Sequence, residues 1–355
     1  MDTTRLDTLL AATTRMGATA LHLVPGRAPS LRVQRRFVAG DETPVQPGDV
    51  EELTRDMLFS DHREQLESRG FVEVLYVSRA GARYRATVSS NNGECSVVLS
   101  PVPTEAPQMT DLDLPEQVGA FTRLRHGFVA VSGFFGAGKS TTLAAIVDAC
   151  SGDADRHIVS IEESIQVVHQ TGAALLHQRE VGRHVVSAAE GVRQAVASGA
   201  DVIIVSEVSD LATLDAVLTA SESGCLVFAG VEAGSIIGAI VEMTSLAVIE
   251  DRPRMRARLA RSLRGITAQS LLNRSHKGGR VPVVEILVAS PAVRAAIRTG
   301  RLKDLPAIMR RCRGLGMQTT DVALRGLLNQ HLVLEEEALL HATNRDEVLT
   351  RHPVR

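Results

Sequence analysis

Helical and alternating hydrophobic patterns divide this chain into two parts. Near the amino terminus Leu6, Leu9, Leu10 and Met16 approximate one face of a helix that Gly17 ends. Residues 20–24 and 30–33 read as strands around the turn Pro25-Gly26-Arg27-Ala28-Pro29. A second helix is predicted over 47–68, entered at Gly48-Asp49, and strands over 71–77 and 83–88 flank the hairpin loop Arg79-Ala80-Gly81. Helices with antiparallel strands predict a small α+β domain over 1–100. Pro101, Pro103 and Pro107 mark a linker over 101–112.

From about Asp111 the pattern changes to alternating strands and helices. Strands are predicted at 127–132, 157–161, 201–205 and 225–229, with helices between them. That alternation predicts an α/β domain with a parallel-sheet core over 113–345. After about Ser235 the chain reads as mostly helical. An antiparallel strand pair interrupts it, formed by 281–288 and the chain before the turn Lys277-Gly278-Gly279-Arg280. No internal repeat or low-complexity segment is present.

The second part carries the chemistry. Gly133-Phe134-Phe135-Gly136-Ala137-Gly138-Lys139-Ser140 fits the phosphate-binding pattern G-x-x-x-x-G-K-[ST] between a predicted strand and a helix that continues from Thr141. Glycines let backbone amides close on phosphate oxygens, and the helix terminus adds positive potential. In such a loop Lys139 reaches the β- and γ-phosphates and the Ser140 hydroxyl ligates Mg²⁺. The apolar run 201–205 ends in Ser206-Glu207, where a carboxylate can stand beside the metal. Read alone, Glu207 suits a helix N-cap equally well; the loop upstream favours the metal. Glu162 and Glu163 end another strand at the same sheet edge, as candidates to accept a proton from water or as a solvated edge pair.

Composition narrows the class. A length of 355 residues suits two domains, and a net charge of −2 gives no global pull toward nucleic acid or anionic lipid. The absence of Trp and an aromatic content of 3% argue against base-stacking platforms. The scattered Cys95, Cys150, Cys225 and Cys312 suggest neither a disulfide framework nor a zinc site and fit a reducing cytoplasm. The first residues lack the order of a signal peptide, and no apolar run is long enough to span a membrane, so membrane association is expected to go through a partner.

These segments together resemble the type IV pilus retraction ATPases (PilT and PilU) of the type II/IV secretion class, over nearly the whole chain. Gly17-Ala18-Thr19-Ala20-Leu21-His22-Leu23 is similar to the family's G-A-S-D-L-H-L, and Gly138-Lys139-Ser140-Thr141-Thr142-Leu143 to its Walker A. Gln178-Arg179-Glu180-Val181-Gly182-Arg183 resembles N-Q-R-E-V-G-R. Ala292-Val293-Arg294-Ala295-Ala296-Ile297-Arg298 resembles A-I-R-N-L-I-R, and Gly314-Leu315-Gly316-Met317-Gln318-Thr319-Thr320-Asp321 resembles G-x-x-G-M-Q-T-x-D. The last two point to the retraction branch. The resemblance implies a PAS-like N-terminal domain, a RecA-like ATPase domain and a ring of six subunits, homo- or hetero-hexameric. It implies ATP with Mg as ligands, held between domains near a subunit interface by Gly133, Gly136, Ala137, Gly138, Lys139, Ser140 and Thr141, with Arg83 and Arg85 as further nucleotide contacts. Ser140 and Glu207 would hold the metal. The implied partners are an inner-membrane pilus platform protein or a sister pilus ATPase.

The departures gather at the catalytic edge. The family's I-E-D-P-I-E reads Ile161-Glu162-Glu163-Ser164-Ile165-Gln166, so the usual catalytic glutamate is Gln166, an amide that cannot accept a proton from water at neutral pH. Glu162 and Glu207 remain to share the work. V-G-E-x-R-D becomes Val205-Ser206-Glu207-Val208-Ser209-Asp210, the family's two box histidines fall on Cys225 and Glu232, and an arginine of the first domain falls on Ser100. Binding chemistry is kept while cleavage chemistry is eroded. The expected function is therefore an ATP-binding, PilT-like ring subunit. It either hydrolyses ATP slowly to drive retraction or, without hydrolysing, regulates an active ring as a nucleotide-binding accessory paralogue; a separate alternative is a purely structural ring component for which nucleotide is irrelevant. Arg252, Arg254, Arg256, Arg258, Arg261 and Arg264 form either a solvated helix or a docking face for an acidic partner.

Overall fold

The computed structural model describes residues 3–33, 36–91, 93–102, 106–170, 172–276 and 279–350. Pro103 of the linker and Lys277-Gly278 of the predicted turn lie outside them. The chain forms two compact units, Met1–Glu105 with Ser164–Val168, and Ala106–Glu163 with His169–Arg355.

The first unit runs α1 (Thr3–Arg15), β1 (Ala20–Leu23), β2 (Ser30–Val33), β3 (Arg36–Ala39), α2 (Pro47–Met57), α3 (Ser60–Arg69), β4 (Phe71–Val77), β5 (Arg83–Asn91) and β6 (Glu94–Pro101). Its antiparallel sheet has the order β3-β2-β1-β6-β5-β4. Register places Leu31, Leu21, Leu99, Ala86 and Val74 in one row across neighbouring strands. Side chains alternate between faces, so this row defines one face of the sheet. It shares a core with Leu6, Leu9 and Leu10 of α1 and Val50, Leu53 and Met57 of α2. The single helix expected over 47–68 is broken: Leu58 turns extended (φ −101°, ψ 121°), and its side chain is buried in that core. β3 gave no sequence signal because all four of its residues are exposed at the sheet edge, without alternation.

The second unit continues with α4 (Glu116–Thr122), β7 (Gly127–Ser132), α5 (Lys139–Ser151), β8 (His157–Glu162), β9 (Leu175–Glu180), α6 (Ala188–Ala197), β10 (Val202–Val205), α7 (Leu211–Glu222), β11 (Leu226–Val231) and α8 (Ile236–Ser245). Then follow α9 (Arg252–Ser262), β12 (Leu263–Asn273), β13 (Arg280–Val288), α10 (Pro291–Thr299), α11 (Leu305–Arg311), α12 (Thr320–Asn329), α13 (Glu335–Leu340) and α14 (Arg345–Leu349). The seven-stranded sheet has the order β13-β12-β7-β11-β10-β8-β9, parallel except for β13. Phe128 and Ala130 of β7 face a core built with α6 to α10, and Val129 and Val131 face one built with α4 and α5. This is an α/β sandwich with helices on both faces. The mostly helical tail contributes β12 and β13 to the sheet, and β12 is the partner expected for 281–288. It begins at the end of the arginine-rich run, which hid it from sequence patterning.

The arginine-rich helix is largely tied to its own unit. Arg258 pairs with Asp215 and Glu222 and donates to Thr219 Oγ1 at 2.9 Å, while Arg261 reaches Glu222 at 2.7 Å. Arg294, from the family-like motif on α10, donates to the carbonyls of Ala260, Arg261 and Ala289 at 2.6, 2.8 and 3.1 Å. It thereby satisfies carbonyls that the end of α9 leaves without intrahelical partners. Arg294→Ala is expected to cost about 2–3 kcal/mol of stability, visible as a lower melting temperature. Arg298→Ala, at an exposed position on the same helix, should leave melting unchanged. Gln318 bridges to Ile286 on β13, and Asp321 accepts from the amides of Thr343 and Asn344. The second retraction-like motif thus staples the terminal helices to the sheet.

Candidate nucleotide site

The parallel strands β7, β8, β10 and β11 end at one edge, and the site lies there. β7 leads into the phosphate loop and α5 begins at Lys139. Gly136 and Gly138 hold φ of +81° and +88°, a region that L side chains rarely enter. Gly133 is required by close approach, since a Cβ there would lie 2.8 Å from the Gln269 carbonyl. Lys139 Nζ donates to the Gly133 carbonyl at 2.6 Å, which places the ammonium across the loop. Ser140 and Thr141 are exposed on the first turn of α5. The amides of this turn and the helix terminus form an anion cradle.

The acids sit at the same edge in distinct states. Glu162 accepts from Ser160 Oγ at 2.8 Å and from Gln178 Nε2 at 3.1 Å. Gln178, in the family-like motif on β9, therefore orients Glu162. Burial pushes the Glu163 carboxyl above its ordinary value, and nearby Glu207 and Asp210 push it further. Ser206, at a glycine position of the family pattern, accepts from the Glu163 amide at 3.2 Å. Asp210 caps α7 through the Thr213 amide and hydroxyl, both at 2.8 Å. A hydroxyl at Ser140 and a carboxylate at Glu207 are hard oxygen donors, so the donor chemistry fits Mg²⁺.

Glu232 and Cys225 separate. Glu232 is exposed just beyond β11, beside Ala233, whose carbonyl accepts from Ser132 Oγ at 2.5 Å at the start of the phosphate loop. Cys225 lies at the opposite sheet edge, where its carbonyl accepts from the amide of Gly127, the first residue of β7. The length of β7 places it about 20 Å from the loop. Its thiol is buried and donates to the Ala200 carbonyl at 3.2 Å. A histidine at 225 would lie too far from its own chain's phosphate loop to reach a γ-phosphate held there. This corrects the expectation drawn from the family pattern.

Glu285 of β13 anchors the chain that follows Glu232, accepting from the Ile236 amide at 3.0 Å at the start of α8. Burial raises its carboxyl above the ordinary value despite that bond, and Asp321 adds to the rise. Because the folded value exceeds the unfolded one, the stability Glu285 contributes is full below the unfolded pKa. It is lost as pH rises through the folded pKa. Glu285→Gln keeps an acceptor without the charge, so it should melt higher than wild type at pH 7.5 and equally at pH 4.

Arg83 and Arg85 lie half-buried on β5 of the first unit. They alternate with the inward Tyr84 and Ala86 and so occupy the opposite face, where Arg85 pairs with Ser100. Gln166 falls in Ser164–Val168, the stretch assigned to that unit. Beside the phosphate loop, within the second unit, a cavity of about 290 Å³ is lined by Thr141, Leu112, Leu114, Leu271, Arg280 and Pro282. An Asp113–Arg274 ion pair stands among its lining residues. Sequence reading did not find this cavity, because its walls come from the linker end and from β12 and β13, far apart in the chain.

The chain matches the family model of the Type II/IV secretion system protein over residues 100–339. It is 32% identical over 330 residues to the type IV pilus retraction ATPase PilT of Pseudomonas aeruginosa, covering 93% of this chain and 96% of that one. It is 28% identical to the type IV pilus ATPase PilU of the same organism, over 96% of this chain and 90% of the other. A crystal structure of the pilus retraction motor PilT with bound ADP superposes with a TM-score of 0.87 at 30% identity, covering 96% and 97% of the two chains. With its parallel sheet, phosphate loop and edge carboxylates, this chain belongs to the Type II/IV secretion system protein family, as a PilT/PilU-like ATPase.

Proposed function

We propose that this protein binds Mg–ATP and works as a ring subunit of a type IV pilus retraction machine. The observation that carries the reading is the anion cradle of Gly133–Ser140, with Lys139 across it and Glu207 on the same sheet edge, in a chain similar to PilT throughout its length. Gly133, Gly136, Ala137, Gly138, Lys139, Ser140 and Thr141 would hold the phosphates, and the adjoining cavity suits the nucleoside. Arg83 and Arg85 are further proposed nucleotide contacts. Ser140 and Glu207 would hold Mg²⁺, which when bound neutralises charge on the phosphates. Glu162 and Glu207 are the proposed catalytic carboxylates. The ring is a hexamer of this chain or is mixed with a sister pilus ATPase. It is cytoplasmic and meets the inner membrane through the pilus platform protein, without nucleic acid as a partner. Among the described residues no helix is long and apolar enough to cross a membrane.

Gln166 favours a second version of the same reading. With an amide where the family pattern has its glutamate, the subunit holds ATP without hydrolysing it and regulates an active ring. Thermal unfolding with and without Mg–ATP tests the common part. Ligand at a hundred times its Kd stabilises by about 2.7 kcal/mol. Absence of a shift in wild type, or an equal shift in Lys139→Ala, would sink the reading.

A further inference from the structure

The geometry points to Gln269 as the residue that holds the phosphate loop in its anion-binding shape, an inference that rests on the nucleotide-binding reading. β12 pairs with β7 in parallel register as far as Ala268 opposite Ser132. One residue further, Gln269 meets Gly133, where β7 gives way to the loop. The side chain, 4% exposed, crosses to the far end of that loop. Its Nε2 donates to the Ala137 carbonyl at 2.8 Å, and its Oε1 accepts from Thr142 Oγ1 at 3.0 Å.

The chemistry admits no other orientation of the amide. A backbone carbonyl can only accept, so nitrogen must face Ala137, and the oxygen then takes the Thr142 hydroxyl proton. One buried side chain therefore ties the loop to the first turn of α5. A phosphate cradle needs its amides turned toward the anion and its carbonyls engaged elsewhere. Gln269 supplies the donor for the Ala137 carbonyl, between the two glycines of positive φ. Its amide nitrogen also packs on the loop, since a Cβ at Gly138 would lie 3.2 Å from it. Gln269 further lines the 290 Å³ cavity, where the phosphate and nucleoside ends of the ligand would meet. It is a positioning residue, acting on the loop and not on the reacting atoms.

The test uses the full chain as wild type, Gln269→Met and Gln269→Glu. Mg–ADP affinity is measured from pH 5.5 to 8.5, and hydrogen exchange of residues 133–142 is measured without nucleotide. Gln269→Met, similar in volume but without either hydrogen bond, should weaken Mg–ADP about tenfold and speed exchange in the loop. Gln269→Glu should bind much as wild type at pH 5.5, where a buried carboxyl stays protonated and can donate to the Ala137 carbonyl. Relative to wild type at the same pH, it should weaken by about tenfold or more toward pH 8.5 as it ionises beside that carbonyl. Loop exchange equal to wild type in both variants overturns the inference, as does Mg–ADP affinity within about twofold of wild type at every pH. Should wild type bind no Mg–ADP, the nucleotide reading falls and loop exchange alone decides the role of Gln269.

Discussion

Lys139→Ala is expected to weaken Mg–ATP binding by about 100-fold while leaving the protein folded. A charge-assisted hydrogen bond contributes about 1.5–3 kcal/mol, and a loop lysine serves two phosphate groups. Losing both contacts corresponds to roughly two decades in Kd. The fold should survive because the Lys139 side chain bonds only the Gly133 carbonyl among the described residues. Alanine is also a strong helix former at the first position of α5. Titration calorimetry with Mg–ATP, beside melting without nucleotide, measures both terms. Retained affinity with a normal fold would move the nucleotide elsewhere and remove the basis of the proposed function.

Gln166→Glu is expected to raise ATP turnover by about 100-fold, read as steady-state phosphate release above the Lys139→Ala background. Positioned general bases contribute about 10²–10⁴-fold, and an amide supplies none of this. The remaining acids are partly committed. Glu162 is engaged by Ser160 and Gln178, and Asp210 caps α7. Glu163 is the competitor, because its raised pKa makes it a better proton acceptor than an ordinary carboxylate. A wild-type turnover that Gln166→Glu leaves unchanged and Glu163→Gln abolishes would assign the base to Glu163. Of the two positions where the family pattern has its box histidines, Glu232 stands at the phosphate-loop edge of the sheet and Cys225 does not.

The phosphate loop was legible because its pattern is local. Glycines, lysine and serine at fixed spacing, between an apolar strand and a helix, carry their geometry within a short stretch of chain. The strands β7, β8 and β10 were legible for a related reason, since strands buried on both faces read as apolar runs. Where these conditions fail, the elements vanish from the pattern. β9 is an edge strand whose side chains include His177, Gln178, Arg179 and Glu180, and β12 grows out of a cationic run. The break at Leu58 is equally invisible, because a helix that continues and one that turns to bury a leucine have the same local composition.

The sequence by itself determined that this is a two-part α+β and α/β chain with a phosphate loop, and that its family's glutamate has become Gln166. The first follows from residue type and near-neighbour spacing, and the second from the resemblance of residues 161–166 to the family's I-E-D-P-I-E. Only the tertiary structure decided which distant residues serve that loop. It placed Gln269 against Gly133 through strand register, sent Cys225 to the opposite sheet edge, and committed Arg258 and Arg294 to internal partners. Sheet order and register bring together residues separated by a hundred positions or more, and no local pattern records which partners they will meet.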